Sequence, residues 1–217
     1  MPHARVGDVN LFYEEIGAGT PLIFVHEFAG DYRSWDLQVR FFSRRYRTIA
    51  FNARGYPPSD IPKELAAYSQ DQAVEDIKGV LDHLGIVTAH ICGLSMGGYA
   101  TLHFGLRHPQ RALSLVVAGA GYGSVPGDRE KFRQDAELTA RQFTENGMAK
   151  TAETYAKGPT RVQFMDKDPS GWQEFYERLA AGSALGHALT LRGVQMTRPS
   201  IFDLADRLAR AARAVFV

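Results

Sequence analysis

A single cysteine, Cys92, stands in a chain of 217 residues, neither sign of charge is in surplus, and no apolar stretch approaches the ~18 residues of a membrane span. Each shortage removes a class of protein. One thiol can form neither an internal disulfide nor a cysteine-rich zinc site, so the fold must hold through its core alone, as in a reducing compartment. The first 15 residues lack the cationic start and apolar run of an export signal, and a cytoplasmic protein without a membrane segment is expected. Lys and Arg number 25 against 24 Asp and Glu, which leaves no basic surplus to draw nucleic acid or anionic lipid. With 45% hydrophobic and 23% charged residues, the composition is that of a globular protein and not of a disordered one.

What the sequence does contain is alternation. Residues 5–16 (RVGDVNLFYEEI) alternate around Gly7-Asp8 and predict a hairpin. Pro21 to His26, Thr48 to Phe51, Ala89 to Gly93 and Ala112 to Ala118 are short apolar runs, the pattern of strands buried on both faces of a parallel sheet. Between them lie helical stretches. In Ser69 to Leu84, Ser69 and Gln72 form a capping-box pair, Ile77, Val80, Leu81 and Leu84 share one face, and Gly85 supplies a left-handed stop. Strand and helix in turn predict an α/β fold, a mostly parallel sheet with helices on both faces. From Tyr122 to about Arg213 only helical patterns recur, with one stripe at Phe132, Ala136, Thr139 and Phe143 and another at Trp172, Phe175, Tyr176 and Leu179. The expected division is a core over 1–121, a helical insertion over 122–213 and the start of a further core strand at 214–217.

The sharpest chemical signal is Gly93-Leu94-Ser95-Met96-Gly97-Gly98, a G-x-S-x-G motif between an apolar run and an apolar helix. A sharp strand-to-helix turn strains its central residue, and flanking glycines leave room because they carry no Cβ. Ser95 would then project from the carboxyl edge of the sheet as a nucleophile. The same turn aims the first helical N–H groups, that of Met96 leading, at the point where a carbonyl oxygen gains negative charge. The competing reading is a glycine-rich turn that only packs a helix close to a strand, and the strand-to-helix context favours the nucleophile. A second glycine-rich run, GAGYG at 119–123, invites a nucleotide-binding oxidoreductase reading; it lacks a third glycine at the required spacing, and Pro126 breaks the expected helix.

With GLSMGG, two further runs make the sequence resemble the α/β-hydrolase superfamily: LIFVHEFAGDYRSW at 22–35 is similar to its strand and oxyanion loop, usually H-G-x-x-G, and FNARGYPPSD at 51–60 to its D-x-R-G-x-G-x-S loop. The match runs in register from the hairpin to about Tyr122, and more loosely through the insertion, which resembles the family's cap or lid. The resemblance implies a serine hydrolase of a small ester, lactone or thioester, with the Phe28 N–H as the oxyanion donor that partners Met96. It is closer to small-molecule esterases and enol-lactonases than to lipases or peptidases, and Ser in place of Asp at the nucleophile argues against the dehalogenase and epoxide-hydrolase branches. No metal or cofactor is implied. Glu27 stands where the family usually has Gly, and Asn52 where it usually has Asp. A carboxylate facing an oxyanion site would oppose the developing charge, so Glu27 is expected to point away, its carboxylate satisfied by backbone N–H groups. Arg54 resembles a structural arginine that ties loops together, and Cys92, on a buried strand, reads as inert.

A serine nucleophile needs a base, and the base an orienting acid. The family's order puts the acid after the strand that starts at Ala214 and the histidine later still, and neither position falls within these residues. The expectation is therefore a fold whose C-terminal strands and helix are missing, with self-association through the open sheet edge, and the alternative function is a non-catalytic scaffold. Distance along strand and helix removes His90 and His108 as the base, position removes His3, His83 and His103, and only His26 and His187 remain; His26 and Glu27 are the candidate pocket residues. Phe143, Trp172 and Phe175 are candidate pocket walls, or simply helix core.

Overall fold

The structure is a computed structural model and describes residues 2–208 and 214–216. The hairpin forms from β1 (His3–Val6) and β2 (Val9–Ile16), and the apolar runs become β3 (Thr20–Val25), β4 (Tyr46–Phe51), β5 (Ala89–Leu94) and β6 (Ala112–Ala118). With β7 (Ala214–Phe216) they make one sheet in the order β1-β2-β4-β3-β5-β6-β7. β1, β2 and β4 pair antiparallel, and β3 to β7 run parallel, β7 pairing its three residues with Leu115, Val116 and Val117 of β6.

The unbroken apolar runs follow from burial on both sheet faces. Helices α2 (Gln70–His83) and α3 (Met96–Arg107) cover one face, α1 (Asp36–Phe42) the other. Along β3, Ile23 and Val25 join a core with Val74, Ile77, Val80 and Leu81 of α2 and Leu102 and Phe104 of α3. The alternate residues Leu22 and Phe24 pack with Trp35 and Val39 instead. A side chain so buried contributes about 1.5–3 kcal/mol, and a polar one there needs its own partner, as buried Thr48 of β4 has in the Ile16 carbonyl, to which its hydroxyl donates at 2.8 Å.

α2 starts as its sequence predicts at one end of the capping box only. The Ser69 hydroxyl accepts the Gln72 N–H at 3.0 Å, but the Gln72 side chain donates to Asp76 at 3.2 Å rather than reaching back. The Asp76 carboxylate, one turn on, is the stronger acceptor. Gly85 takes φ +66° just past the helix, the left-handed stop.

Five further helices follow β6: α4 (Arg129–Asn146), α5 (Met148–Ala156), α6 (Val162–Lys167), α7 (Pro169–Ala180) and α8 (Ala184–Thr190), the last running on through a wider π turn at Leu191–Gln195; a short α9 (Ala205–Leu208) comes after them. Their apolar faces meet the loops at the carboxyl ends of the strands in one cluster, where Phe28, Tyr56 and Met96 pack with Ala136, Phe143, Met148, Leu179 and Leu191. The stripes over α4 and α7 thus serve partly as the floor of this layer. None of the helices is long and apolar enough to cross a membrane among the described residues. The glycine run at 119–123 leads into a short 3-10 turn at Pro126–Asp128, and α4 begins only at Arg129. A dinucleotide-binding turn needs the helix to start directly after the strand, so that reading is corrected here.

Candidate active site

Ser95 sits between β5 and α3 with φ +52° and ψ −110°, the one non-glycine residue with positive φ among the described residues. Such a backbone costs of order 1–3 kcal/mol and persists only where its surroundings enforce it. The enforcing contacts are local: the Ser95 N–H donates to the Ala118 carbonyl at 2.8 Å, and its carbonyl accepts the Tyr99 N–H at 3.0 Å. The glycines leave no room for side chains. A Cβ on Gly93 would run into the Gly97 carbonyl, and one on Gly97 into the Val25 carbonyl of the neighbouring strand. The turn therefore needs glycine at both places.

Above the half-buried Ser95 lies a cavity of ≈ 450 Å³ bounded by Phe28 and Glu27 on the loop after β3, and by Phe132, Ala136, Tyr155, Arg161, Leu191 and Gln195 from the helical layer. The Phe28 N–H has no acceptor among the described residues, while its carbonyl accepts the Tyr56 hydroxyl at 2.8 Å. Met96 opens α3, where first-turn N–H groups have no acceptor within the helix; its side chain packs below, against a small cavity it shares with His26.

The two candidate histidines lie elsewhere than a base would. His26 is 1% exposed, and its ring spans the loops: Nδ1 donates to the Glu27 carbonyl at 2.7 Å and Nε2 accepts the Ala53 N–H at 3.1 Å. Those partners fix a neutral tautomer with no nitrogen to spare, so His26 braces the loop and does not wall the Ser95 cavity. His187 is buried among the rings of Phe28, Tyr56 and Phe143, 4.6–5.3 Å between centroids, and Nδ1 donates to the Ser183 carbonyl at 2.9 Å. No histidine lines the Ser95 cavity among the described residues.

Burial pushes His187 down to about 4, well below a free imidazole. A lowered histidine leaves stability intact above its unfolded value near 6.5 and drains it as pH falls toward about 4, because only the unfolded chain then accepts the proton. His187→Leu is expected to flatten that part of a melting-temperature profile against pH. An unchanged slope between pH 6.5 and 4 would show that another group carries it.

Glu27 corrects an expectation. Its carboxylate is satisfied by no backbone N–H: Oε1 accepts the Ser34 hydroxyl at 3.1 Å and Oε2 is buried without a partner, while the residue lines both the Ser95 cavity and the neighbouring one. Gly30 permits this, since a Cβ there would strike the Glu27 carboxylate. Asn52 explains its own departure from Asp. Fully buried, it accepts the Tyr32 N–H at 2.7 Å through Oδ1 and donates through Nδ2 to the Pro57 carbonyl at 2.7 Å, and a carboxylate cannot donate. Burial raises the Cys92 thiol to about 11, which leaves too little thiolate for a nucleophile.

None of the three candidate walls lines the Ser95 cavity. Phe143 is core, Phe175 lines a neighbouring cavity, and the Trp172 indole donates to the Ala156 carbonyl while stacking on Tyr176. Tyr155, Arg161 and Gln195 are the wall residues that periodicity missed. No cluster of His, Cys, Asp or Glu suited to a metal occurs among the described residues.

Comparison with known proteins agrees with this architecture. The alpha/beta hydrolase fold family profile matches residues 20–176, and the chain belongs to that family. It is 31% identical over 183 residues to 3-oxoadipate enol-lactonase 2 of Acinetobacter baylyi, covering 83% of this chain and 66% of that protein. It is 32% identical over 127 residues to epoxide hydrolase 4 of Mus musculus, covering 57% of this chain and 35% of the other. Among solved structures, the enol-lactonase from Burkholderia xenovorans LB400 superposes with a TM-score of 0.80 at 21% identity, over 100% of this chain and 90% of that one. A thermophilic esterase from Thermogutta terrifontis gives 0.81 at 22% identity, over 96% and 84%. The chain spans about a third to two thirds of the length of the curated relatives it matches.

Proposed function

We propose that this chain is a serine hydrolase of a small ester, lactone or thioester, working through an acyl-enzyme on Ser95, with helices α4–α8 as a cap over the pocket. The observation that carries this reading is the strained turn: Ser95, alone among described non-glycine residues at positive φ, opens α3 beneath a ≈ 450 Å³ cavity. Its Oγ attacks the carbonyl carbon, the carbonyl π electrons move to oxygen, and the N–H groups of Phe28 and Met96 receive the oxyanion. Collapse expels the alkoxide or thiolate, and water repeats the sequence on the acyl-serine to release the acid. Enol-lactonase and esterase among the relatives support an acyl substrate. The epoxide hydrolase likeness is a likeness of family, and a serine at the turn suits acyl transfer.

Attack requires a base for the Oγ proton. The absence of histidine from the lining, among the described residues, favours a second reading, a scaffold that binds acyl compounds without turning them over. A fluorophosphonate probe followed by peptide mapping separates the two. Under the first reading the adduct maps to the peptide holding Ser95, and Ser95→Ala abolishes it. A wild-type chain that binds esters yet leaves Ser95 unlabelled would favour the scaffold.

A further inference from the structure

Beside the ≈ 450 Å³ cavity over Ser95 lies a larger one of ≈ 700 Å³, lined from the loop after β3, α1, α6 and α7, to which the proposed chemistry gives no role. Glu27, Ala29 and Arg161 line both cavities, so these three residues form the partition between them. Two of the three are fixed. Ala29 is buried, and the Glu27 carbonyl accepts from the Gly30 N–H and the His26 ring while its carboxylate accepts the Ser34 hydroxyl. Arg161 is the exception. It enters no ion pair among the described residues, and its Nε is buried without a hydrogen bond. Its guanidinium lies 5.9 Å from the ring centre of Tyr155, a wall of the Ser95 cavity, and 4.8 Å from that of Phe175, a wall of the outer one. Ring contacts hold a guanidinium less firmly than a carboxylate does, and a buried donor without an acceptor regains one in water. Arg161, just before the six-residue α6, is therefore the part of the partition that moves at least cost.

The outer cavity offers a different surface from the inner one. Nine of its 17 lining residues are charged, of both signs, and several are already satisfied: Arg33 pairs with Asp31 at 2.5 Å, Arg178 with Glu174 at 3.0 Å, and Asp168 accepts the Gly171 N–H at 2.9 Å. A hydrocarbon chain laid there would strip water from these groups and return no hydrogen bond, and an ion of either sign would meet charges like its own. A neutral chain of hydroxyl or ether oxygens does neither. Arg40, exposed and in no ion pair among the described residues, offers such oxygens donors. We propose that the two cavities are one divided binding site: the inner takes the carbonyl attacked by Ser95, the outer takes a long, neutral, oxygen-bearing substituent of the acyl or leaving group, and Arg161 between them is a specificity residue. With Arg161 in place the inner cavity holds short substrates; with its side chain swung aside the substituent passes through. The assignment rests on Ser95 as the nucleophile.

Three fluorophosphonates test it on the intact chain: one carrying an ethyl group, one a decyl chain and one an oligo(ethylene glycol) chain of the decyl length. The readout is the rate of Ser95 labelling by each long probe divided by the rate with the ethyl probe, which cancels effects common to all three. Arg161→Ala is expected to raise the ratio for the glycol probe at least ~10-fold, the yield of one hydrogen bond to a charged group, and to raise that for the decyl probe less. Phe175→Ala, which removes a ring that meets the guanidinium but does not line the Ser95 cavity, should raise the glycol ratio several-fold. Ser170→Trp fills the outer cavity from α7, and added to Arg161→Ala it should return the glycol ratio toward that of the unaltered chain. A glycol ratio that Arg161→Ala leaves unchanged or lowers, with Ser95 still labelled, overturns the partition and leaves the nucleophile standing. A gain that Ser170→Trp does not reverse, or a decyl gain as large as the glycol gain, overturns the outer cavity as the place of the substituent. No labelling of Ser95 by any of the three overturns both this assignment and the reading it rests on.

Discussion

Arg54→Ala is expected to lower folding stability by about 3–5 kcal/mol, the range for removing one partner of a buried ion pair. Arg54 is 7% exposed and Asp76 2%. Nε and Nη2 donate to the two Asp76 oxygens at 2.8 and 2.6 Å, and Nη1 donates to the Ala67 carbonyl at 2.9 Å. One guanidinium thus ties the loop after β4 to α2, and its loss leaves a carboxylate in the core. Burial already raises the Asp76 carboxyl, an effect that Arg54 offsets. Without the offset the folded state holds the proton more tightly than the unfolded chain, so the variant gains stability as pH falls toward the ordinary carboxylate range and loses it as pH rises. The deficit in a urea titration should therefore be larger at pH 7 than at pH 4.5. Pairing the change with Asp76→Leu should recover part of the loss, because an apolar pair leaves no orphaned charge. A deficit below about 1 kcal/mol at pH 7 would show that the pair is not a structural tie.

How far the sequence speaks depends on whether a signal is local. Runs such as PLIFVH announce strands because a strand covered on both faces has no polar position to spare, and the packing of Ile23 against α2 and of Phe24 against Trp35 is the reason. The Ser95 turn is legible for the same reason, since Gly93 and Gly97 are required by contacts within a few residues and with the adjacent strand. The walls of the cavity are not local. Tyr155 ends a helix stripe, Arg161 precedes a six-residue helix, and Gln195 closes a π turn, so what each faces depends on how five helices settle over the sheet. Glu27 shows the other limit. The sequence predicts backbone N–H groups around its carboxylate, but the Gly30 N–H and the His26 ring donate to the Glu27 carbonyl, and the carboxylate accepts from the Ser34 hydroxyl instead.

Phe28→Pro is expected to slow phosphonylation of Ser95 by ~10²- to 10³-fold, the loss typical of one oxyanion donor, while Phe28→Leu changes it by no more than about threefold. The two substitutions separate backbone from side chain. Proline removes the N–H that has no other acceptor among the described residues, whereas leucine keeps it and alters only packing. That packing is not trivial. The Phe28 ring is 6% exposed and meets Phe143, Tyr155 and His187 edge-on at 5.3–6.1 Å, so leucine should lower stability by about 1 kcal/mol even as it spares the chemistry. A loss of rate in both variants would mean that the ring, and not the N–H, positions the acyl group. Equal rates in Phe28→Pro and the unaltered chain would assign the second oxyanion donor to another group. Rates are compared under conditions where circular dichroism shows each variant folded, because proline also restrains Glu27, the residue before it.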